Sequence, residues 1–284
     1  MSDGADGEAF ALFRPTARGL PVLVEVPHAG LAVPPEARAL LLADDRAMLR
    51  DADAWVDALF RDVVAQGATL LSARVSRYVV DLNRDEHDHD PGSVASSTQP
   101  KGSAPRGVIW RECSDGTQAL RRPLTAEEFA QRVARYHRPY HRALAQELEA
   151  LRARHGVAVL LCGHSMPAMG RTHLAQAPRR RADVVPGTRG RSTASGALID
   201  AVDAHFRGAG LSVRHDDPYR GGATTWRYGR PSTGVHAIQV ELNRDLYMDE
   251  RTLTPKTDAM AWLRSLCTGL VSKLGDALQD RSRC

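Results

Sequence analysis

The chain has 284 residues, 43% of them hydrophobic and 25% charged, which suits a soluble globular protein with one large α/β domain or two small ones. Its net charge of +4 is carried almost wholly by arginine, since Lys101, Lys256 and Lys273 are the only lysines. The densest basic stretch, Arg179 to Arg191, has no interleaved aromatics for base stacking, so no nucleic-acid partner is expected. Cys113, Cys162, Cys267 and Cys284 show no paired CxxC spacing and read as reduced thiols. The acidic start MSDGADGEAFALFRP lacks the basic and apolar regions of a signal peptide, and no apolar run is long enough to span a bilayer. The expectation is a cytoplasmic protein without a membrane partner.

In chain order, residues 1–19 read as an N-terminal extension and residues 20–284 as a single domain. PVLVEVP (21–27) is a short buried strand. EARALLLAD and AMLRDADAWVDALFRDVVAQG carry helical spacing, the second closed by Gly67. TLLSARV and YVVDLN read as strands. Residues 85–124 have little periodicity and many Pro, Gly and Ser residues, the mark of a functional loop or lid. A Thr-x-x-Glu capping box at Thr125 opens a long helix, which Pro139 should kink or split. VAVLLCGHSM (157–166) reads as a central strand. Beyond it come a Gly/Arg loop, the helix TASGALIDAVDAHFRGAG, the strand LSVRHD, a loop with Gly221 and Gly222, the strand HAIQVELN and a terminal helix from about Pro255. Strands alternating with helices predict one three-layer α/β/α sandwich.

Chemistry-bearing residues gather where these strands end. His28 follows PVLVEVP, His164 ends VAVLLCGHSM, Glu241 closes HAIQVELN, and Asn83 and Arg84 follow YVVDL. In open α/β sheets ligands lie outside the carboxyl ends of the strands. Each residue has a plainer reading: His164 could cap its strand, Glu241 could pair with Arg244, and Arg84 could pair with Asp81 or Asp85. Together, two histidines, a further anionic ligand and a free carboxylate suit zinc-assisted hydrolysis, in which a carboxylate takes the proton of the attacking water. An arginine would hold a substrate carboxylate by a two-pronged contact. Arg84 is the first candidate, with Arg227 and Arg171 behind it. Spacing does not choose the third ligand among Asp44, Asp45, Asp51, Asp53 and Asp57. His137 and His141 have helical ligand spacing, but Pro139 between them and the absence of an H-E-x-x-H glutamate point to packing. The acidic run DEHDHD (85–90) reads as a solvated loop.

The segments VPHAG, DADAWVDALF, SRYVVDLNR, YHRPYHRAL, CGHS, ADVVPGT, DPYRGG and GVHAIQVELNRDLYM, in that order, resemble the N-formylglutamate amidohydrolase family. The resemblance spans about residues 20 to 275 and is weakest across 85–124 and HLAQAPRRR. It implies a phosphorylase/hydrolase-like fold close to the zinc carboxypeptidases and aspartoacylases, with a mixed, mostly parallel sheet. It implies one zinc ion per chain on His28, His164 and an early carboxylate, taken as Asp53 with Asp51 as the alternative. Leu31 stands where carboxypeptidases carry that ligand. Glu241 would be the general base, and Arg84 with Asn83 would bind substrate. The implied reaction is hydrolysis of N-formyl-L-glutamate to formate and glutamate, in histidine breakdown. A deacylase of another N-acyl amino acid or small peptide is the nearest alternative, and a non-catalytic ligand-binding relative the more distant one.

Overall fold

The computed structural model of the protein describes residues 9–16, 19–98, 102–170 and 179–279. Its six-stranded sheet comprises β1 (Phe10–Phe13), β2 (Val22–Val26), β3 (Thr69–Ala73), β4 (Ala158–Met166), β5 (Val184–Gly187) and β6 (Val235–Asn243). The spatial order is β1-β3-β2-β4-β6-β5. The inner ladders β3–β2, β2–β4 and β4–β6 are parallel, and the outer strands β1 and β5 run antiparallel to their neighbours. The sheet is therefore mixed and mostly parallel.

Strand parity separates two cores. Leu23, Leu71, Leu160, Cys162 and Ala237 face one cluster, whereas Val22, Val24, Leu70, Val159, Leu161, Ile238 and Val240 face the other. Both faces of β2 and β4 are buried, which is why these strands read as continuous apolar runs. The short helices α1 (Pro35–Arg38), α2 (Asp45–Asp51) and α3 (Val56–Phe60) precede β3, and α4 (Ala126–Arg132) and α5 (Arg138–His155) precede β4. α6 (Gly196–Gly208), α7 (Ala223–Tyr228) and α8 (Thr257–Gln279) complete the chain. Side chains of α5 join the first cluster, and those of α3, α6 and α8 join the second, giving three layers. Among the described residues no helix is long and apolar enough to cross a membrane.

Several local expectations change. Part of the segment read as an extension forms β1, pairing Phe10–Phe13 with Ala73–Leu70. Residues 78–83 are not a strand but a turn-rich segment, and residues 211–216 contribute only the bridge between Val213 and Val184. Of the helix expected over EARALLLAD, only its first three residues are helical, at the end of α1. The helix expected over 47–67 breaks between α2 and α3: Ala52 turns extended and Trp55 takes a left-handed conformation at φ 59°. Pro139 does not split its helix. One π turn over Val133–His137 joins α4 to α5, with the Arg138 N–H donating to Val133 O. That widened turn lets the chain pass proline, which has no N–H to give.

The described part of 85–124 is packed, not free. Val94, Val108, Ile109, Trp110, Cys113, Leu120 and Leu124 are buried in the first cluster. At the end of β4, a Cβ on Gly163 would fall 2.6 Å from Phe60 Cε2, so glycine there lets α3 lie against the strand that carries His164.

Candidate active site

β4 and β6 pair in parallel with His164 opposite Glu241, so both side chains leave the same face at the carboxyl edge of the sheet. β2 ends at Val26, two residues before His28. The break between α2 and α3 then brings Asp53 between the two histidines. The Asp53 N–H donates to His28 O at 3.0 Å. Asp53 Oδ2 lies 3.0 Å from His164 Nδ1 and 3.3 Å from His28 Nδ1. One ligand atom from each of His28, Asp53 and His164 falls within 4.8 Å of the others, and all three residues are buried.

The other candidate carboxylates go elsewhere. Asp44 caps α2, accepting from Ala47 N at 2.7 Å, and Asp45 faces Arg38 on the surface. Asp57 is exposed. Asp51 is buried, but it accepts from Tyr78 Oη at 2.5 Å, from Ser114 N at 2.7 Å and from Ser114 Oγ, tying α2 to the loop 85–124. Only Asp53 of the five joins the histidines among the described residues.

Each histidine is oriented from behind. His28 Nε2 lies 2.8 Å from Asp81 Oδ1, a contact that orients the ring with Nδ1 toward Asp53. Asp81 also accepts from Arg77 Nη2 at 2.8 Å, Trp110 Nε1 at 3.0 Å and Asn83 N at 2.9 Å. Burial by itself would raise the Asp81 carboxyl, but the His28 and Arg77 charges hold it well below the usual range. Asp81, Arg77 and Trp110 were not anticipated as site residues, and nothing in their spacing marks them.

Asn83 supports the site from within the protein. Its Nδ2 is 3.2 Å from His164 Nε2, and its Oδ1 accepts from Thr224 N and Oγ1 at 3.1 and 3.0 Å. A Cβ on Gly222 would meet that amide at 2.3 Å, so the close approach of α7 requires glycine. His137 and His141 sit behind this segment. The His137 Nε2–H donates to Arg84 O at 2.9 Å and that of His141 to Leu82 O at 3.0 Å, bracing both flanks of Asn83. Arg84 is half-buried, with Nε donating to Arg106 O at 3.1 Å. Arg227 is exposed on α7, with its guanidinium over Tyr228. Arg171 lies outside the described residues.

The electrostatics divide the two site carboxylates. Burial opposes ionisation of Asp53, yet hydrogen bonds from His164 and His28 and the charges of both rings hold its pKa well below the ordinary range. Glu241 is raised to about 7, chiefly by burial, with His164 lowering it and Asp53 raising it. Gln239, two residues back on the same face of β6, donates to Glu241 Oε1 at 2.8 Å and accepts from Gly222 N at 2.8 Å. A period-2 reading of β6 would have found it. The loop before α7 also reaches this wall: Arg181 covers the Tyr219 ring at 5.4 Å, and burial, then the Glu241 charge, raises the Tyr219 phenol.

Two carboxylates pushed apart in this way, one kept anionic between imidazoles and one poised near neutrality, are the separation of roles that acid–base chemistry requires. On a mixed sheet flanked by helices they fit a hydrolytic enzyme. The sequence model of the N-formylglutamate amidohydrolase family matches residues 20–248, and the chain belongs to that family. It is accordingly an enzyme, a hydrolase acting on an amide bond.

The chain is 34% identical over 236 residues to N-formylglutamate deformylase of Pseudomonas aeruginosa, a match covering 82% of this chain and 84% of that protein. It is 31% identical over 239 residues to N-formylglutamate deformylase of Pseudomonas putida, covering 81% and 83%. Among solved structures, N-formylglutamate amidohydrolase from Ralstonia eutropha JMP134 aligns with a TM-score of 0.86 at 31% identity, over 96% of this chain and 99% of that one. The gene product Atu2144 from Agrobacterium tumefaciens aligns with a TM-score of 0.67 at 23% identity, over 94% and 96%, and speaks to the fold alone.

Proposed function

We propose that this protein hydrolyses N-formyl-L-glutamate to formate and L-glutamate with the help of one divalent ion, zinc by its donor set, held by His28, Asp53 and His164. The observation that carries this reading is Glu241, a carboxylate raised to about 7 and register-paired with a histidine of the His–Asp–His group. The names of the similar proteins supply the substrate.

The residues present fit such an ion. Two imidazole nitrogens and one carboxylate oxygen are the ligand types zinc takes at catalytic sites. With its proton on Nε2 toward Asp81, a neutral His28 would offer its Nδ1 lone pair to the ion, and Asp53 is anionic. When bound, the ion would polarise the formyl oxygen and lower the pKa of a nearby water.

The chain's own groups then divide the work. Gln239 engages Glu241 Oε1, so Oε2 is the oxygen that accepts a proton from the attacking water. A carboxyl poised near 7 can pass that proton on to the departing amine nitrogen. Arg84, with Nε anchored on Arg106 O, offers its remaining donors to a substrate carboxylate. Asn83 steadies His164, and through Asp81 the partly buried Arg77 and the buried Trp110 steady His28.

The deciding experiment measures formate release from N-formyl-L-glutamate by the purified, metal-loaded enzyme, beside N-acetyl-L-glutamate and a small N-acyl peptide. Formate release at a kcat/KM well above turnover of the other two is expected. Preference for the acetyl compound or the peptide would move the protein to another deacylase activity.

A further inference from the structure

Arg244 follows β6 directly and is buried, yet none of its bonds goes to Glu241. Its guanidinium reaches across to the break between α2 and α3. Nη1 donates to Arg50 O at 2.6 Å and Nη2 to Ala52 O at 2.5 Å. These two carbonyls lie at the C-terminal end of α2, where a cation is favourable and where a continuing helix would have supplied N–H donors. Nη2 also lies 3.4 Å from Asp53 Oδ1, and Nε donates to Ser165 Oγ at 3.1 Å. Ser165 Oγ in turn is 3.3 Å from the same Oδ1. Three residues on, Tyr247 Oη donates to Ala54 O at 3.0 Å. The segment 50–54 is thus held by side chains from the stretch just after Glu241.

The consequence for Asp53 is directional. Arg244 and Ser165 occupy Oδ1, while Oδ2 is turned to His164 Nδ1 and His28 Nδ1. We propose that Arg244 is the positioning residue of the metal centre: it interrupts the helix at Ala52 and engages Asp53 Oδ1, so that Oδ2 alone is presented to the ion. This rests on the metal reading above. Because Arg244 follows the strand that carries Glu241, one short stretch of chain sets both the proton acceptor and the carboxylate ligand.

The test measures zinc affinity by chelator competition on folded, metal-stripped protein, with thermal unfolding of the same stripped samples as a control. Arg244→Met should weaken zinc binding by about 10–100-fold, the size typical for loss of a residue supporting a ligand. Arg244→Lys keeps the charge and one donor group, and should recover part of that loss. In an Asp53→Ala background, Arg244→Met should cost no more than about threefold further, since its route to the ion is gone. Affinity within about threefold of wild type for a folded Arg244→Met, or a full additional loss in the Asp53→Ala background, overturns the proposal. If Arg244→Met does not fold, Ser165→Ala removes one of the two groups on Oδ1 without stripping a buried charge. It should weaken zinc binding at least threefold, and an unchanged affinity overturns the proposal equally. The wild type separates the two ideas: a wild-type chain that retains no divalent ion overturns the metal reading itself and the clamp with it.

Discussion

His164 on β4 and Glu241 on β6 are direct partners across a parallel ladder, so the positions of a candidate ligand and a candidate base are locked to each other by backbone hydrogen bonds. Glu241→Gln preserves the shape and removes the base. kcat should fall by about 10²–10⁴-fold, with metal content and unfolding temperature near wild type. Burial raises this carboxyl to about 7, so the group is lost as a base when pH falls through that midpoint. A bound cation would draw the midpoint lower. The kcat/KM profile should therefore show an acidic limb at or below about 7 that is absent in the glutamine variant. A variant keeping more than about a tenth of wild-type kcat would remove Glu241 from this role.

Metal retention should depend on three residues and not on a fourth. His28→Ala and His164→Ala should abolish retention of a divalent ion through gel filtration, and Asp53→Ala should weaken it. Asp51→Ala should leave metal content intact while lowering the unfolding temperature, because its bonds run to Tyr78 and Ser114. Elemental analysis of the four purified variants checks this, and an empty site in Asp51→Ala would contradict it.

Asp81 acts at one remove. Asp81→Asn keeps the volume but weakens the acceptor for His28 Nε2–H, so metal affinity should drop by about 10–100-fold. The variant also leaves Arg77 without its carboxylate partner in the interior, so a lower unfolding temperature is expected alongside. Chelator competition on the folded fraction separates the two effects.

Arg84→Lys retains a positive charge and loses the planar fork. If the fork holds a substrate carboxylate, kcat/KM toward N-formyl-L-glutamate should fall at least tenfold more than kcat/KM toward a neutral N-formyl amide. Equal losses on both substrates would make Arg84 a structural residue serving Arg106 O.

His141 makes a prediction about acid stability away from the reacting groups. Burial, helped by the His137 and Arg227 charges, lowers its pKa to about 3. The unfolded chain protonates histidine near 6.5. Below that value the unfolded state takes up a proton the native state refuses, so the stabilisation is complete above about 6.5 and is lost as pH falls toward 3. Between pH 7 and pH 5 the loss from this residue is about 2 kcal/mol. His141→Gln can still donate to Leu82 O and should flatten that part of the profile in urea unfolding. An unchanged slope would show that His141 is not protected from protons.

By itself the sequence determined the strands that cross the buried sheet and the residues at their ends. Apolar runs such as AVLLC and AIQV, buried on both faces, have no other stable place, and His28, His164 and Glu241 follow from where those runs stop. The capping box at Thr125 was equally legible, because both of its bonds are local. What only the tertiary structure decided lies in long-range contacts that leave no periodicity. Asp53 stands in a stretch with helical spacing, and it meets the two histidines because that stretch breaks at Ala52, whose carbonyl Arg244, almost two hundred positions away, grips. Asp81 and Trp110 meet His28 for the same kind of reason: turn and loop segments without a repeating pattern are carried to it by packing. The four residues of β1 are too short to stand out in the sequence, and they form a strand because β3 offers an open edge to pair with. Local periodicity reports which face of an element is buried. It does not report what a buried arginine from the far end of the chain will grip.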